Sequence, residues 1–318
     1  MPKKKAKTEE QSPAQMFDNS IKFILTEASK PAVVHLINGL YKKSYPPDTV
    51  VKIEPNESIK KHPKSGNLGK IVSDIVVTLF CEDRKDTYLI EAQIDDDMEM
   101  SLRIFNYSVQ IALKDKIVSD DGSYMRIEMP EPAVVYLETS RAKDFLVIEV
   151  IFPGGRGVVY KVPAFKVLEH NISEFESMAL LLPFYILKIR KELRKSGVDS
   201  GKRKLLAERL AGYVNEIAEV LHKSRENCYI TDVDVEMLQE RLSKMHMKLY
   251  GGYEEFTEVD MTLKQMHDSS VLRTIEKAEA KAEIKGEKRG ISLGIEKVFA
   301  LLDQGVSLPE AKRRLGLL

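Results

Sequence analysis

The chain has 318 residues, of which 43 % are hydrophobic, enough for one large domain or two small ones, each with its own core. Lys+Arg and Asp+Glu stand at 49 each, so no global field draws the protein onto a polyanion, and any nucleic-acid contact needs local basic patches. No apolar run is long enough to span a bilayer, the start is not of the secretory kind, and Cys81 and Cys228 are too far apart in sequence to read as a disulfide framework or metal motif, which together point to a cytoplasmic protein with reduced, buried thiols and no membrane partner.

In chain order, residues 1–13 read as a disordered basic tail, 14–168 as an α/β domain, 169–270 as a helical region, and 271–318 as a charged helix ending in a small helix–turn–helix-like tail. Phe17 to Tyr45 is predicted helical, divided near Pro31 and stopped by Pro46-Pro47. Val50 to Ile53 is a short strand, followed by a polar loop with Lys60, Lys61, Lys64 and the Gly66-Asn67 turn. Lys70 to Phe80, rich in β-branched residues, is the clearest strand; Glu82 to Asp86 turns the chain, and Thr87 to Ile94 returns.

Asp95 to Glu99 forms an acidic start to a helix reaching about Lys116, favourable at the positive end of the helix dipole. Ala133 to Leu137 and Phe145 to Phe152 read as buried strands, with Gly157 to Val162 a short third and Gly154-Gly-Arg-Gly157 as the connecting turn. From Ser173 the spacing turns helical, with an apolar stretch from Phe175 to Ile186 and helices over Lys202 to Leu221 and Val233 to Leu249, broken at Gly251-Gly252. Asp268 to Lys297 is a charged helix interrupted by Gly286, Gly290 and Gly294, and Val298 to Leu318 is the terminal unit, with the capping box Ser307-Leu-Pro-Glu310 and the basic residues Lys312, Arg313 and Arg314. The six histidines are scattered, with no HxH or HxxxH pair to support zinc.

An acid inside an apolar strand is costly unless it has work to do. Asp74 sits between Val72-Ser73 and Ile75-Val76, and Glu91 between Leu89-Ile90 and Ala92. Both belong to one predicted hairpin, and Gln93, two residues after Glu91, leaves the same face of the sheet. Neighbouring strands lie about 5 Å apart, so carboxylates on adjacent strands can share one hard divalent ion, with the Ala92 carbonyl as a third oxygen ligand and Gln93 orienting water or phosphate. Arg103 and Tyr107, four apart on the following helix, could reach a phosphate; Arg103 lying over the core with Tyr107 packed beneath it is the equal alternative. Asp18 reads as a helix-start charge, and Asp95-Asp96-Asp97 as a helix N-terminus rather than a metal cluster.

The order helix, hairpin carrying Asp74 then Glu91-Ala92-Gln93, acidic helix start, Arg103, Tyr107 and two apolar strands resembles the PD-(D/E)XK nuclease superfamily, and within it the recombination-promoting nuclease and transposase-like family. Phe17-Asp18 and Lys22-Phe23 are loosely similar to that family's opening segment, and Leu301-Leu302, Gly305-Val306-Ser307, Glu310 and Leu315-Gly316-Leu317 to its tail; residues 165 to 270 match only as a helical region. The resemblance implies an α/β fold with a restriction-endonuclease-like core and mixed central sheet, followed by a helical region and a C-terminal helical tail. It implies a Mg²⁺-dependent DNA endonuclease (Mn²⁺ as a substitute) linked to recombination or mobile DNA, with Asp74 and Glu91 as metal ligands and Gln93 in the position where other members of the superfamily carry lysine. Glutamine brings no positive charge beside the phosphate, which leaves room for a non-catalytic DNA-binding or assembly protein on the same scaffold. RNA as the substrate and homo-oligomers formed through the helical C-terminal part are further expectations.

Overall fold

The computed structural model describes residues 13–61, 68–82, 84–94, 99–138, 143–195, 198–269 and 298–314, with backbone alone at 13–15, 55–61, 68–74 and 308. Two compact units emerge, Met1–Lys188 and Ile189–Leu318. The first is mixed α/β and therefore runs some twenty residues past the expected limit at 168.

Helix α1 (Pro13–Glu27) and helix α2 (Lys30–Tyr41) replace the single divided helix expected from the sequence. Ser29 separates them: its hydroxyl accepts from the Ala32 N–H, and Pro31 occupies the first turn of α2, where its missing N–H costs nothing. Strands β1 (Val50–Lys61) and β2 (Leu68–Cys81) are longer than expected, and Lys60 and Lys61 belong to β1; Lys64 and Gly66-Asn67 lie outside the described residues. Strand β3 (Arg84–Gln93) starts three residues early, after a turn in which Glu82 takes φ 53°. Helix α3 (Met100–Lys114) follows; the acidic run Asp95-Asp96-Asp97 lies outside the described residues. A two-stranded ribbon, β4 (Ile117–Val118) with β5 (Met125–Arg126), has no apolar alternation to announce it. Strands β6 (Glu131–Tyr136), β7 (Phe145–Ile151) and β8 (Gly157–Lys166) complete the unit's strands.

The main sheet has six strands in the order β1-β2-β3-β6-β8-β7. β1, β2 and β3 are antiparallel neighbours, β3 and β6 are parallel, as are β6 and β8, and β7 returns antiparallel on β8. The α3 crossover between β3 and β6 is what a parallel pair requires. Side chains alternate between faces. Val76, Leu89, Val134, Tyr136 and Val162 turn to α3 and pack on Met100, Ile104, Tyr107 and Ile111. On β8, Tyr160 donates to Ser108 Oγ at 2.6 Å and meets Phe105 edge-on, which fastens α3 across the sheet. α1 touches β1, β2 and β3, and α2 touches β1. The buried Tyr41 hydroxyl donates to the Leu89 carbonyl at 3.0 Å, tying α2 to β3.

β7 departs from the expected buried strand. Its side chains alternate between exposed and half-buried, because it is the last strand of the sheet and the helices opposite α3 stop short of it. The Gly-rich turn before β8 has Gly154 and Gly155 at φ 90° and 78°, a conformation that favours glycine. The apolar stretch after β8 is also not the expected α-helix. Ala179–Ile189 is a 3-10 helix containing Pro183, and Ala179 to Leu187 are all buried, so no polar face exists to select the 3.6-residue period.

The second unit is helical: α4 (Arg190–Leu193), α5 (Ser200–Glu226), α6 (Asp232–Tyr250), α7 (257–269), α8 (298–303) and α9 (Leu308–Arg314). Asp199 and Thr231 cap α5 and α6, the latter in a reciprocal box with Asp234. Cys228, expected buried, is exposed at φ 59° just past α5, and Cys81 is partly exposed. The charged, glycine-spaced segment 270–297 lies outside the described residues. The turn at Gln304-Gly305 is present, with Gly305 at φ 80°. Lys312 is not at the surface as a basic tail residue would be: it donates to Glu236 Oε1 of α6 at 2.7 Å, with both side chains buried. Arg313 and Arg314 both pair with Glu310.

Removing one partner of a buried ion pair strands the other charge at a cost of about 3–5 kcal/mol. Urea denaturation of Lys312→Met is expected to show a loss of that order, largely recovered in Lys312→Met/Glu236→Met. A single variant as stable as the wild type would mean that α9 is not fastened to α6.

Candidate functional site

The candidate site lies where the β2–β3 hairpin opens. The antiparallel ladder pairs Ile75 with Ile90 and ends there. One further step of that register sets Asp74 beside Glu91. On its other edge β2 pairs Asp74 with Asn56 and then shifts register before Val72 pairs with Glu57. Bulges of this kind bend a strand and re-aim its side chains, and they recur next to active sites. Only the backbone of Asp74 is described, so its contribution is its place in the register.

Glu91 and Gln93 share the face of Leu89, toward α3. Glu91 is 1 % exposed. Its Oε1 accepts from two donors, Arg103 Nη2 at 2.7 Å and Gln93 Nε2 at 2.8 Å. Its Oε2 is buried with no hydrogen-bond partner among the described residues. A charged oxygen left so costs free energy unless something meets it. Burial pushes the Glu91 carboxyl above the ordinary value of 4.5, outweighing the pull of Arg103 and Gln93 in the other direction, and the nearby Asp18 charge pushes the same way as burial.

Three neighbours complete the cluster. Arg103, in the first turn of α3, keeps part of its surface open beside the site. Ala92 lies between Glu91 and Gln93, and because the Gln93 carbonyl accepts from Leu137 N–H on the β6 side at 2.7 Å, strand alternation points the Ala92 carbonyl to the β2 side, where the ladder has ended. Asp18 comes from α1. It is not the expected helix-start charge: α1 begins at Pro13, so Asp18 lies in the second turn, between the buried Phe17 and Ile21. Its carboxylate holds Lys22 at 2.7 Å and feels the Arg103 charge, while burial raises its pKa above the ordinary value. The signal for it was present in the sequence: the apolar spacing of Phe17, Ile21, Ile24 and Leu25 makes Asp18 part of a helix face next to the core.

Tyr107 does not join them. It is fully buried in the α3–sheet core, which makes it a packing residue and removes it from the phosphate contacts expected for it. A cavity of about 700 Å³ lies at the other end of β3, lined by Tyr45, Arg84, Asp86, Tyr88 and Asp115, and Glu91 is not among its walls. Among the described residues no group of three His, Cys, Asp or Glu side chains is placed to hold a metal ion, the Asp74 side chain being outside that set. No described helix is long and apolar enough to cross a membrane. Comparison with family models, with curated proteins and with solved structures yields no match.

The donors are of the oxygen kind that a hard divalent cation takes: a buried carboxylate oxygen with no partner among the described residues, a backbone carbonyl released from the ladder, and Asp74 next in register. Because its folded pKa is raised, Glu91 contributes stability that is full below the ordinary carboxylate value and is lost as pH rises through the folded pKa. Urea denaturation between about pH 4 and pH 8 is therefore expected to show the wild type losing ground to Glu91→Gln as pH rises. A constant difference between the two would mean that Glu91 titrates as a solvent-exposed acid.

Proposed function

We propose that this protein is a metal-dependent DNA endonuclease with a restriction-endonuclease-like core, of the PD-(D/E)XK kind, and that its work is tied to recombination or mobile DNA. The observation that carries the reading is Glu91: buried on the sheet, held through one oxygen by Arg103 and Gln93, with the other oxygen lacking a partner among the described residues, at the point where the β2–β3 ladder ends. The order α1, β1–β3 antiparallel, α3, then parallel β6 supports the resemblance already drawn from the sequence.

In this reading Asp74, Glu91 and the Ala92 carbonyl hold Mg²⁺ or Mn²⁺. When bound, such an ion lowers the pKa of a water and offsets the charge that develops on the phosphate. Gln93 donates to Glu91 and thereby helps fix its rotamer, and its amide oxygen is an acceptor of the kind that can orient a water. Arg103 takes the part that a lysine at position 93 would have played. Its guanidinium is always charged and donates to Glu91 Oε1, so it sets a fixed positive charge beside the carboxylate. The positive charge thus comes from α3 instead of β3. Asp18 tunes the cluster through its charge and its ion pair with Lys22.

One observation favours the second reading, a non-catalytic DNA-binding scaffold. Arg103 already gives Glu91 a counter-charge at 2.7 Å, a structural partner that a scaffold without a metal would also need for a buried carboxylate.

Supercoiled-plasmid nicking separates the two. With Mg²⁺ or Mn²⁺ the wild type is expected to nick, EDTA to stop it, and Asp74→Ala or Glu91→Gln to lower the rate by on the order of 100-fold or more while a cooperative thermal transition is retained. Gln93→Lys is expected to retain nicking. Absence of metal-dependent nicking, with DNA still retarded on a gel, would favour the scaffold. A parallel titration is expected to show Mn²⁺ binding tightening from about pH 5 to pH 8, because the ligand is the ionised carboxylate; binding independent of pH would remove Glu91 from the ligand set.

A further inference from the structure

The β7–β8 hairpin ends the sheet with an apolar face that is left exposed among the described residues. β7 pairs with β8 on one side and is the last strand on the other. On the face opposite α3, Phe145, Val147 and Ile151 of β7 and Val159 of β8 project outward with 45 %, 56 %, 59 % and 61 % of their surfaces exposed. The register places them together: Phe145 opposite Pro163, Val147 opposite Lys161, Glu149 opposite Val159, and Ile151 opposite Gly157. Gly157 leaves space that Ile151 fills, since a Cβ there would lie 2.9 Å from Ile151 Cδ1. The strip ends where Phe165 of β8 stacks on His170 and meets Phe175. Contiguous apolar strips on a sheet's terminal hairpin are a liability that folded chains cover or charge.

Two charges lie within the strip. Glu149 and Lys161 stand diagonally on the two strands, and neither is in an ion pair among the described residues. Lys161 Nζ instead sits 3.5 Å above the Phe145 ring. A face bearing one unpaired acid and one unpaired base among large apolar side chains is complementary to itself. Under a two-fold axis the same patch meets its copy, so every contact is made twice.

We propose that this face is the interface of a homodimer in which two β7–β8 hairpins pack face to face. Phe145, Val147, Ile151 and Val159 interdigitate with their counterparts, and Glu149 of each copy pairs with the partner's Lys161. A standard interface covers about 800 Å² on each partner, with an apolar centre and a polar rim. The strip supplies the centre, and the turn between the strands and the two charges supply the rim. The α3 side of the sheet, with Glu91, remains free for its own ligand. This inference does not depend on the nuclease reading.

Sedimentation equilibrium of the full chain tests it, with circular dichroism and thermal melting as controls for folding. The wild type is expected to be dimeric at micromolar concentration. Val147→Asp and Ile151→Asp lie at exposed positions, so they are expected to fold and to run as monomers. Glu149→Lys alone and Lys161→Glu alone each set like charges against each other across the axis and are expected to raise the dissociation constant roughly tenfold or more. Glu149→Lys/Lys161→Glu restores the opposition of signs and is expected to recover the dimer. A monomeric wild type, a dimer indifferent to Val147→Asp and Ile151→Asp, or a double charge swap no better than the singles would each overturn the proposal.

Discussion

A carboxylate that is 1 % exposed cannot be left to itself, and the arrangement around the end of the β2–β3 ladder follows from how Glu91 is accommodated. Three elements contribute. β3 sets the position of Glu91 and of Gln93 on the same face. α3 brings Arg103, whose charge partly offsets the cost of burial. α1 brings Asp18, a second negative charge near enough to work against ionisation. The balance is tilted toward the protonated form by burial, yet one oxygen is held by two donors as a carboxylate would be. Such a group is poised: a cation reaching its second oxygen would complete what Arg103 began.

That poise needs a rigid frame. The Tyr41 hydroxyl on the Leu89 carbonyl and the Leu137 amide on the Gln93 carbonyl pin β3 from both neighbouring sides, two residues either way from Glu91. α3 is held over the sheet by the apolar cluster around Tyr107 and by the Tyr160–Ser108 hydrogen bond, so Arg103 arrives from a fixed helix rather than from a loop. Tyr107 serves the site by packing, at the expense of the contact with phosphate once expected of it.

Most of this was legible in residue order. β-branched runs with an acid in the middle located β2 and β3 and singled out Asp74 and Glu91, and Pro31 and Pro46 bounded α2. Three things were not legible. The ion pair of Glu91 with Arg103 spans twelve residues and depends on the angle at which α3 returns to the sheet, which no spacing encodes. The 3-10 path of Ala179–Ile189 arises because its residues are buried all round, which erases the periodicity that would distinguish one helix from another. The exposure of β7 goes with its place at the sheet's end: Phe145, Val147 and Ile151 have the composition of a core strand, and only the three-dimensional arrangement shows that they are left exposed. Asp18 was within reach, since the apolar spacing around it extends back to a helix starting at Pro13.

The two-residue alternation of β3 has a consequence for how this chain can change length. Leu89, Glu91 and Gln93 point to one face and Tyr88 and Ile90 to the other, so losing or gaining a single residue between Tyr88 and Glu91 would not move the acid slightly; it would turn it through the sheet to the side of Tyr41 and expel a hydrophobic side chain toward Arg103. Indels of two residues would keep the face yet break the match to β6. At the turn beyond Cys81 the same events would merely lengthen or shorten a surface connection. Descendants of this sequence are therefore expected to differ in length around Glu82 while keeping the count from Tyr88 to Gln93 constant, a frame preserved by parity rather than by the identity of each residue inside it.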